Sequence, residues 1–310
     1  MKIVSLFSGA GGLDLGFKLA GHTIIWANDI DKDACETYAE NIGKHILCKD
    51  IREINVSDIP DCDIVIGGFP CQGFSMANMR RNIEDERNQL YKFFYSVIKG
   101  KQPKYFVAEN VKGILSLGDG SVIKQIEADF QEAGYFTSVN LVNMADYGVP
   151  QTRQRVVILG QRKNISDELN ICLPAKTNSK NPGKDGLPQW ISVKEAIDRF
   201  PNPDSPNDVL NHIYSAYKVE YRNFTGHRQT NPDKPSPTIL ARGNGKGGVC
   251  ALPHYNGQRR LTIRESAAIQ TFPDDFHFHG AMNSCYRQIG NAVPVHFAYL
   301  LGLEFAKKEV

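Results

Sequence analysis

The sequence predicts an α/β fold, a doubly wound and mostly parallel sheet with a smaller irregular module attached. Three observations predict it. From Met1 to about Arg162, short continuously apolar runs alternate with amphipathic stretches, the pattern of buried parallel strands joined by crossover helices. The first run ends in a glycine-rich turn, Phe7-Ser8-Gly9-Ala10-Gly11-Gly12, at the carboxyl edge where such sheets bind ligands. After Lys163 both periodicities fade into Pro-, Asn- and Lys-rich sequence, which reads as a linker into a less regular unit.

In chain order, Lys2 to Phe7 reads as the first strand and a helix begins near Leu13. Thr23 to Asn28 is the second strand, Asp31 to Asn41 a helix, and Asp63 to Gly68 a strand that is almost wholly apolar. Asn88 to Lys99 and Ser121 to Ala133 carry helical spacing on either side of the strand Lys104 to Glu109, and Arg155 to Gly160 is the last strand. Residues 174–208 are Pro- and Asn-rich, and 210–258 show little periodicity. Helical pattern returns at Thr262, and Gly290 to Leu303 reads as one apolar helix. The expected division is 1–178 as a catalytic and ligand-binding domain, 179–284 as a recognition domain and hinge, and 285–310 as a return to the first domain.

Of the 310 residues, 41% are hydrophobic and 23% charged, which excludes disordered and fibrous classes. No stretch approaches the ~18 to 20 apolar residues of a membrane span, and the N-terminus lacks a leader pattern, so a cytoplasmic protein with no membrane partner is expected. Seven cysteines, without a Cys-x-x-Cys pair or a histidine at metal spacing, suggest free thiols and no metal. The net charge of +2 does not by itself announce nucleic acid, but the distribution is uneven. Residues 1–160 hold 17 Lys/Arg against 20 Asp/Glu, and residues 161–258 hold 13 against 9.

Several residues stand where chemistry could use them. The glycine turn suits a nucleotide-like ligand or a purely structural turn; Asp14 occupies the position where a dinucleotide fingerprint wants a third Gly or Ala. Asp29 and Asp50 end predicted strands, where a carboxylate can accept from ribose hydroxyls or an adenine amino group, or simply cap a helix. Cys71, in Gly67-Gly68-Phe69-Pro70-Cys71-Gln72-Gly73-Phe74-Ser75, lies just past a buried strand. A lone free cysteine is most often an inert buried thiol. Glu109 ends the next strand, and Arg153 and Arg155 are two apart, so in extended chain they share a side and can converge on one ligand.

Taken in order, FSGAGG, Asn28-Asp29, Asp50, GGFPCQGFS, AENV, QTRQR, RRLTIRESAAIQTFP and QIGNAVP give a sequence that resembles the bacterial DNA (cytosine-5-)-methyltransferases of restriction-modification systems, nearly end to end. The resemblance implies the sheet of the S-adenosylmethionine-dependent methyltransferases, with S-adenosylmethionine as methyl donor and S-adenosylhomocysteine as product. It implies Cys71 as the nucleophile on carbon 6 of a flipped-out cytosine, Glu109 at N3, Arg155 at O2 and Arg153 in a supporting place. Phe7, Gly9, Gly11, Gly12, Asp29, Ile30, Asp50, Ile51, Gly68, Pro70, Leu90, Asn291 and Ala292 would line the cofactor. Many relatives carry Glu at the position of Asp29. Gln72, Ser75, Thr238 and Arg242 would meet double-stranded DNA, Arg242 either at a guanine or at a phosphate. A monomer is expected, with a cognate restriction endonuclease acting on the same site. An RNA cytosine methyltransferase and a non-catalytic DNA-binding relative are the competing readings; the basic middle segment favours DNA, and the set of Cys71, Glu109 and Arg155 favours catalysis.

Overall fold

The computed structural model describes residues 1–70, 89–216, 229–241 and 252–308. Its elements run β1 (Lys2–Leu6), α1 (Gly12–Leu19), β2 (Thr23–Asp29), α2 (Lys32–Asn41), β3 (Ile46–Cys48), β4 (Ile64–Gly67), α3 (Gln89–Lys101), β5 (Tyr105–Val111), α4 (Ser121–Glu132), β6 (Tyr135–Asn143), β7 (Gln151–Thr152), β8 (Gln154–Arg162), α5 (Pro182–Asp185), α6 (Val193–Ile197), β9 (Ser236–Pro237), α7 (Ile263–Ile269), α8 (Met282–Asn291) and α9 (Val295–Ala306).

Seven strands form one sheet in the order β3-β2-β1-β4-β5-β8-β6. The neighbours from β3 to β5 are parallel, whereas β8 runs antiparallel to both β5 and β6. The sheet is therefore mostly parallel, as its apolar strands predict, with one reversed strand inserted near an edge. Alternation sorts the side chains: Val4, Val65, Phe106 and Ile158 pack with α3 and α4 on one face. Ile3, Ile66, Val107 and Leu159 pack with Phe17 of α1 and Phe297, Leu301 and Phe305 of α9 on the other. The first face holds an aromatic cluster in which Phe106 and Phe130 lie 4.3 Å apart between ring centroids. On the second, α1 and α9 approach at backbone distance. A Cβ on Gly16 would stand 2.3 Å from that of Ala298, and one on Gly302 2.7 Å from that of Ala20.

Two strands of the seven-stranded sheet escape the sequence pattern, as do the two-residue strands β7 and β9 that pair apart from it. β3 is three residues long, and β6, YFTSVNLVN at the sheet edge, is mostly half-buried, so neither has the continuous apolar run that marks a central strand. The expected single helix from Gly290 to Leu303 is two helices. Pro294 is the N-cap of α9 and Ala292 is extended, with ψ 146°; Pro294 has no N–H with which to continue α8, and it disfavours helical backbone at Val293, the residue before it.

The later segment shares its core with the start of the chain. Val193, Ile197, Ile239, Leu261, Ile269, Phe272 and Phe278 form one apolar cluster with Ala10, Leu15, Tyr38 and Ile42. Hydrogen bonds reinforce the joints. Thr262 and Glu265 make a capping box at the start of α7, and Arg264 donates to the carbonyls of Leu210 and Pro273 at 2.9 and 2.8 Å. Among the described residues no helix is long and apolar enough to cross a membrane.

Candidate functional site

The carboxyl ends of β1, β2, β4 and β5 fall at one edge of the sheet, as the pairings Leu6–Asn28, Leu6–Gly67 and Gly67–Ala108 require. Two sets of residues meet there.

The first is built on the turn after β1. Phe7 adopts φ 56°, a left-handed conformation that an L-residue with a bulky side chain holds only when its surroundings impose it. Two hydrogen bonds impose it here: Ser8 N donates to the Asn28 carbonyl at 2.9 Å, and Gly9 N donates to Asp29 Oδ2 at 2.7 Å. Asp29 Oδ1 accepts from Asp31 N at 2.9 Å. Burial raises the Asp29 carboxyl above the usual range against the pull of these backbone donors. A Cβ on Gly9 would meet nothing within 4 Å, whereas Gly11 and Gly12 are tightly enclosed. Gly11, at φ 85°, caps α1. Gly12 admits the C-terminal return: its Cβ would stand 2.3 Å from the Val293 carbonyl and 3.2 Å from the Ala292 side chain. Asn291 is exposed beside that contact, and Ile30, 66% exposed, sets an open apolar surface next to the Asp29 carboxylate.

A half-buried acceptor, an unobstructed glycine and an exposed aliphatic side chain at one strand edge fit a nucleoside with a ribose diol and an apolar-faced base. Two expected neighbours behave differently. Ile51 is buried in the core because the turn at 51–53 directs it inward. Asp50 caps that turn, and its carboxylate is engaged by the backbone and guanidinium of Arg52 at about 3.0 Å, which lowers its pKa.

Asp14 shows why the third glycine position of a dinucleotide fingerprint is filled. Its carboxyl is fully buried and accepts from the Tyr38 hydroxyl at 2.9 Å; burial pushes it up to about 6, against hydrogen bonds from Ser5 and Tyr38. A carboxyl whose folded pKa lies above its ordinary value of 3.8 contributes stability that is full below that value and is lost as pH rises through about 6. Asp14→Asn is therefore expected to match the wild type in urea unfolding near pH 3.5 and to exceed it near pH 8, by up to about 3 kcal/mol at ~1.4 kcal/mol per unit. A wild type and variant with the same pH dependence would exclude this.

The second set surrounds β5. Glu109 Oε1 lies 2.9 Å from Arg155 Nε, both side chains being about nine-tenths buried. Burial lowers the Arg155 guanidinium and Glu109 opposes that. On its other side Glu109 reaches the β4 loop: a Cβ on Gly68 would stand 3.1 Å from Glu109 Oε2. The next residue, Asn110, donates to the Phe69 carbonyl at 2.9 Å, and the Phe69 ring is buried against Tyr91 and Phe94. The chain is thus fixed beside Glu109 up to Pro70, which is exposed; Leu90 is half-buried at the start of α3. Cys71, Gln72, Ser75 and Arg242 lie outside the described residues. Sequence reasoning missed Asn110, although its place beside Glu109 at a strand end was a usable signal.

Arg153 and Arg155 do not converge on one group. Arg153 lies between β7 and β8 and is fully buried. It donates to the carbonyls of Ile239 and Gly290 at 3.2 and 3.0 Å, and burial brings its pKa down to about 9. Gln151 accepts from Ile239 N and donates to Gln270. The Thr238 hydroxyl, expected to face DNA, donates to the Thr152 carbonyl at 2.9 Å. This stretch knits the edge of the sheet to the 236–239 segment and to α8. Replacing Arg153 by Met leaves two buried carbonyls without donors and is expected to cost about 2 kcal/mol of unfolding free energy, while changing kcat of the folded protein less than about tenfold. A loss of kcat as large as that of a Glu109 variant would place Arg153 in the chemistry instead.

The family model described as C-5 cytosine-specific DNA methylase matches residues 1–307. The chain is 42% identical to the Type II methyltransferase M.NgoFVII of Neisseria gonorrhoeae, over 94% of this chain and 83% of that protein. It is 38% identical to the Type II methyltransferase M.FnuDI of Fusobacterium nucleatum, over 97% and 93%. The crystal structure of S. pombe Dnmt2 methyltransferase shares the fold, with a TM-score of 0.75 and 20% identity over the whole of both chains. The protein belongs to the C-5 cytosine-specific DNA methylase family and is a DNA cytosine-5 methyltransferase.

Proposed function

We propose that this enzyme methylates carbon 5 of a cytosine flipped out of a specific duplex DNA sequence, through a covalent bond between Cys71 and carbon 6, and so protects host DNA in a bacterial cytoplasm from a cognate endonuclease. The observation that supports it best is the clamp beside β5. Glu109 and Arg155 form a buried pair against Gly68, and Asn110 holds the Phe69 carbonyl, so an acid and a cation stand beside the strand end that leads, through Pro70, toward Cys71 in the sequence.

Carbon 5 of cytosine is a weak nucleophile. Addition of the Cys71 thiolate to carbon 6 makes the ring an enamine and sends charge toward N3 and O2. Glu109 supplies a proton or hydrogen bond at N3, and Arg155 orients Glu109 and faces O2, offsetting that charge in a site shielded from water. S-adenosylmethionine would be held by Asp29 at its ribose, by Phe7 and Ile30 at its base and by Gly9 along its chain, and would supply the electrophilic methyl group for carbon 5, leaving as S-adenosylhomocysteine. Loss of the carbon 5 proton to a base then expels the Cys71 thiolate, and Glu109 recovers its proton. The carbon 6 position is inaccessible inside a duplex, so the base must leave the stack at a cost of a few kcal/mol. The basic segment within 179–284 provides the grip on DNA.

The test is incubation of the purified protein with labelled S-adenosylmethionine and a random-sequence duplex library, followed by bisulfite sequencing. One methylated sequence context is expected. Absence of 5-methylcytosine in every context, or transfer of label to RNA in preference to duplex, would overturn the proposal.

A further inference from the structure

Along the chain, the cysteines have no histidine partner at metal spacing, and no metal is expected. The fold changes that by bringing α2 against the segment before α8. His277 and His279 are two apart in an extended stretch, so their rings lie on one side, with centroids 4.5 Å apart. Glu40, from 237 residues earlier, faces both. Its Oε1 lies 3.2 Å from His277 Nδ1, and its Oε2 contacts His279 Nε2.

The convergence does not depend on those contacts. Thr37, Glu40 and Asn41 are at positions i, i+3 and i+4 of α2 and share a face, and the flanking two hold the histidine segment by its backbone. Asn41 donates to the His277 carbonyl at 2.8 Å and accepts from His277 N at 2.9 Å. Thr37 Oγ1 accepts from His279 N at 2.8 Å and itself donates to Gln288, which donates to the His279 carbonyl. Four backbone-directed bonds therefore fix where the two rings project before Glu40 is considered. One ligand atom from each of Glu40, His277 and His279 lies within 4.8 Å of the others, so a small adjustment of these exposed side chains brings the three to the roughly 3.4 Å that separates tetrahedral ligands with bonds of about 2.0 to 2.2 Å. The three side chains are a third to a half exposed, which leaves room for water to complete the coordination.

We propose that Glu40, His277 and His279 form a binding site for a zinc-class divalent transition metal. Two imidazoles and one carboxylate suit zinc, cobalt or nickel, whereas magnesium and calcium prefer all-oxygen sets. The ion ties α2, which follows Asp29 and Ile30 directly, to the segment that leads into α8. It is a structural staple outside the methyl-transfer chemistry. This departs from the expectation of a metal-free protein.

The experiment uses the full chain, stripped with chelator and dialysed, and titrated with Co²⁺ alone and Zn²⁺ alone. Wild-type protein is expected to bind one equivalent of Co²⁺ with visible d–d bands and without the near-ultraviolet charge-transfer bands of thiolate ligands. At a hundredfold excess over Kd, Zn²⁺ should raise the melting temperature by about 5 °C. Glu40→Gln should weaken binding at least tenfold, and His277→Ala with His279→Ala should abolish both the spectrum and the melting shift. His279→Gln, which keeps a polar side chain of similar reach, serves as the test if the double variant does not fold. Absence of stoichiometric binding, thiolate bands in the cobalt spectrum, or binding undiminished in the histidine variants would each overturn the proposal.

Discussion

Cys71→Ala is expected to lower kcat by on the order of 10⁴-fold or more while leaving the affinity for duplex DNA within a few-fold of the wild type. The size follows from the role. A nucleophile that converts the ring into an enamine has no partial substitute, since neither Glu109 nor Arg155 can form the bond to carbon 6. Binding survives because the contacts with DNA backbone and flanking bases belong to other residues. Duplex carrying 5-fluorocytosine gives the complementary readout. Fluorine cannot leave as a cation in place of the proton, so the adduct should accumulate as a denaturant-resistant complex with wild-type protein and be absent with Cys71→Ala. Covalent trapping by the alanine variant, or turnover within tenfold of wild type, would exclude Cys71 as the nucleophile.

What could be read from the sequence divides along a physical line. That Gly9 and Asp29 share one edge was legible because both stand at the ends of predicted strands, and parallel strands carry their carboxyl ends to one edge; the bond between them was not. The separation of Arg153 from Arg155 was not. Two residues apart gives one shared side of an extended chain but not what each side chain meets there: Arg153 reaches the carbonyls of Ile239 and Gly290, which distant sequence brings in, whereas Arg155 reaches Glu109. Nor was the direction of β8 legible, since an apolar run of Val156 to Leu159 is equally buried in a parallel or an antiparallel strand. Its reversal is what places Arg155 opposite Val111 and so within reach of Glu109. The metal cluster lay furthest from view, because its ligands are brought together by Thr37 and Asn41 gripping the backbone of 277–279 and not by any spacing along the chain.

Glu109 and Arg155 should lose activity as a unit. Glu109→Ala is expected to lower kcat by on the order of 10² to 10⁴-fold, the range for a single positioned acid, with a smaller change in KM for DNA. Glu109→Gln separates two versions of the role. The amide can donate a hydrogen bond to N3 but cannot deliver a proton, so a Gln variant much more active than Ala identifies hydrogen bonding as sufficient, and equal losses identify proton delivery as required. Arg155 bears on both, because its Nε is 2.9 Å from Glu109 Oε1 in a site that excludes most solvent. Removing either partner leaves the other buried with an uncompensated charge. The double variant Glu109→Gln with Arg155→Met should therefore be far less impaired than the product of the two single losses predicts, with a coupling of about 1 to 3 kcal/mol in the activation free energy. Strictly multiplicative losses would mean that Arg155 acts on the substrate independently of Glu109, and would confine its contribution to the charge developing at O2.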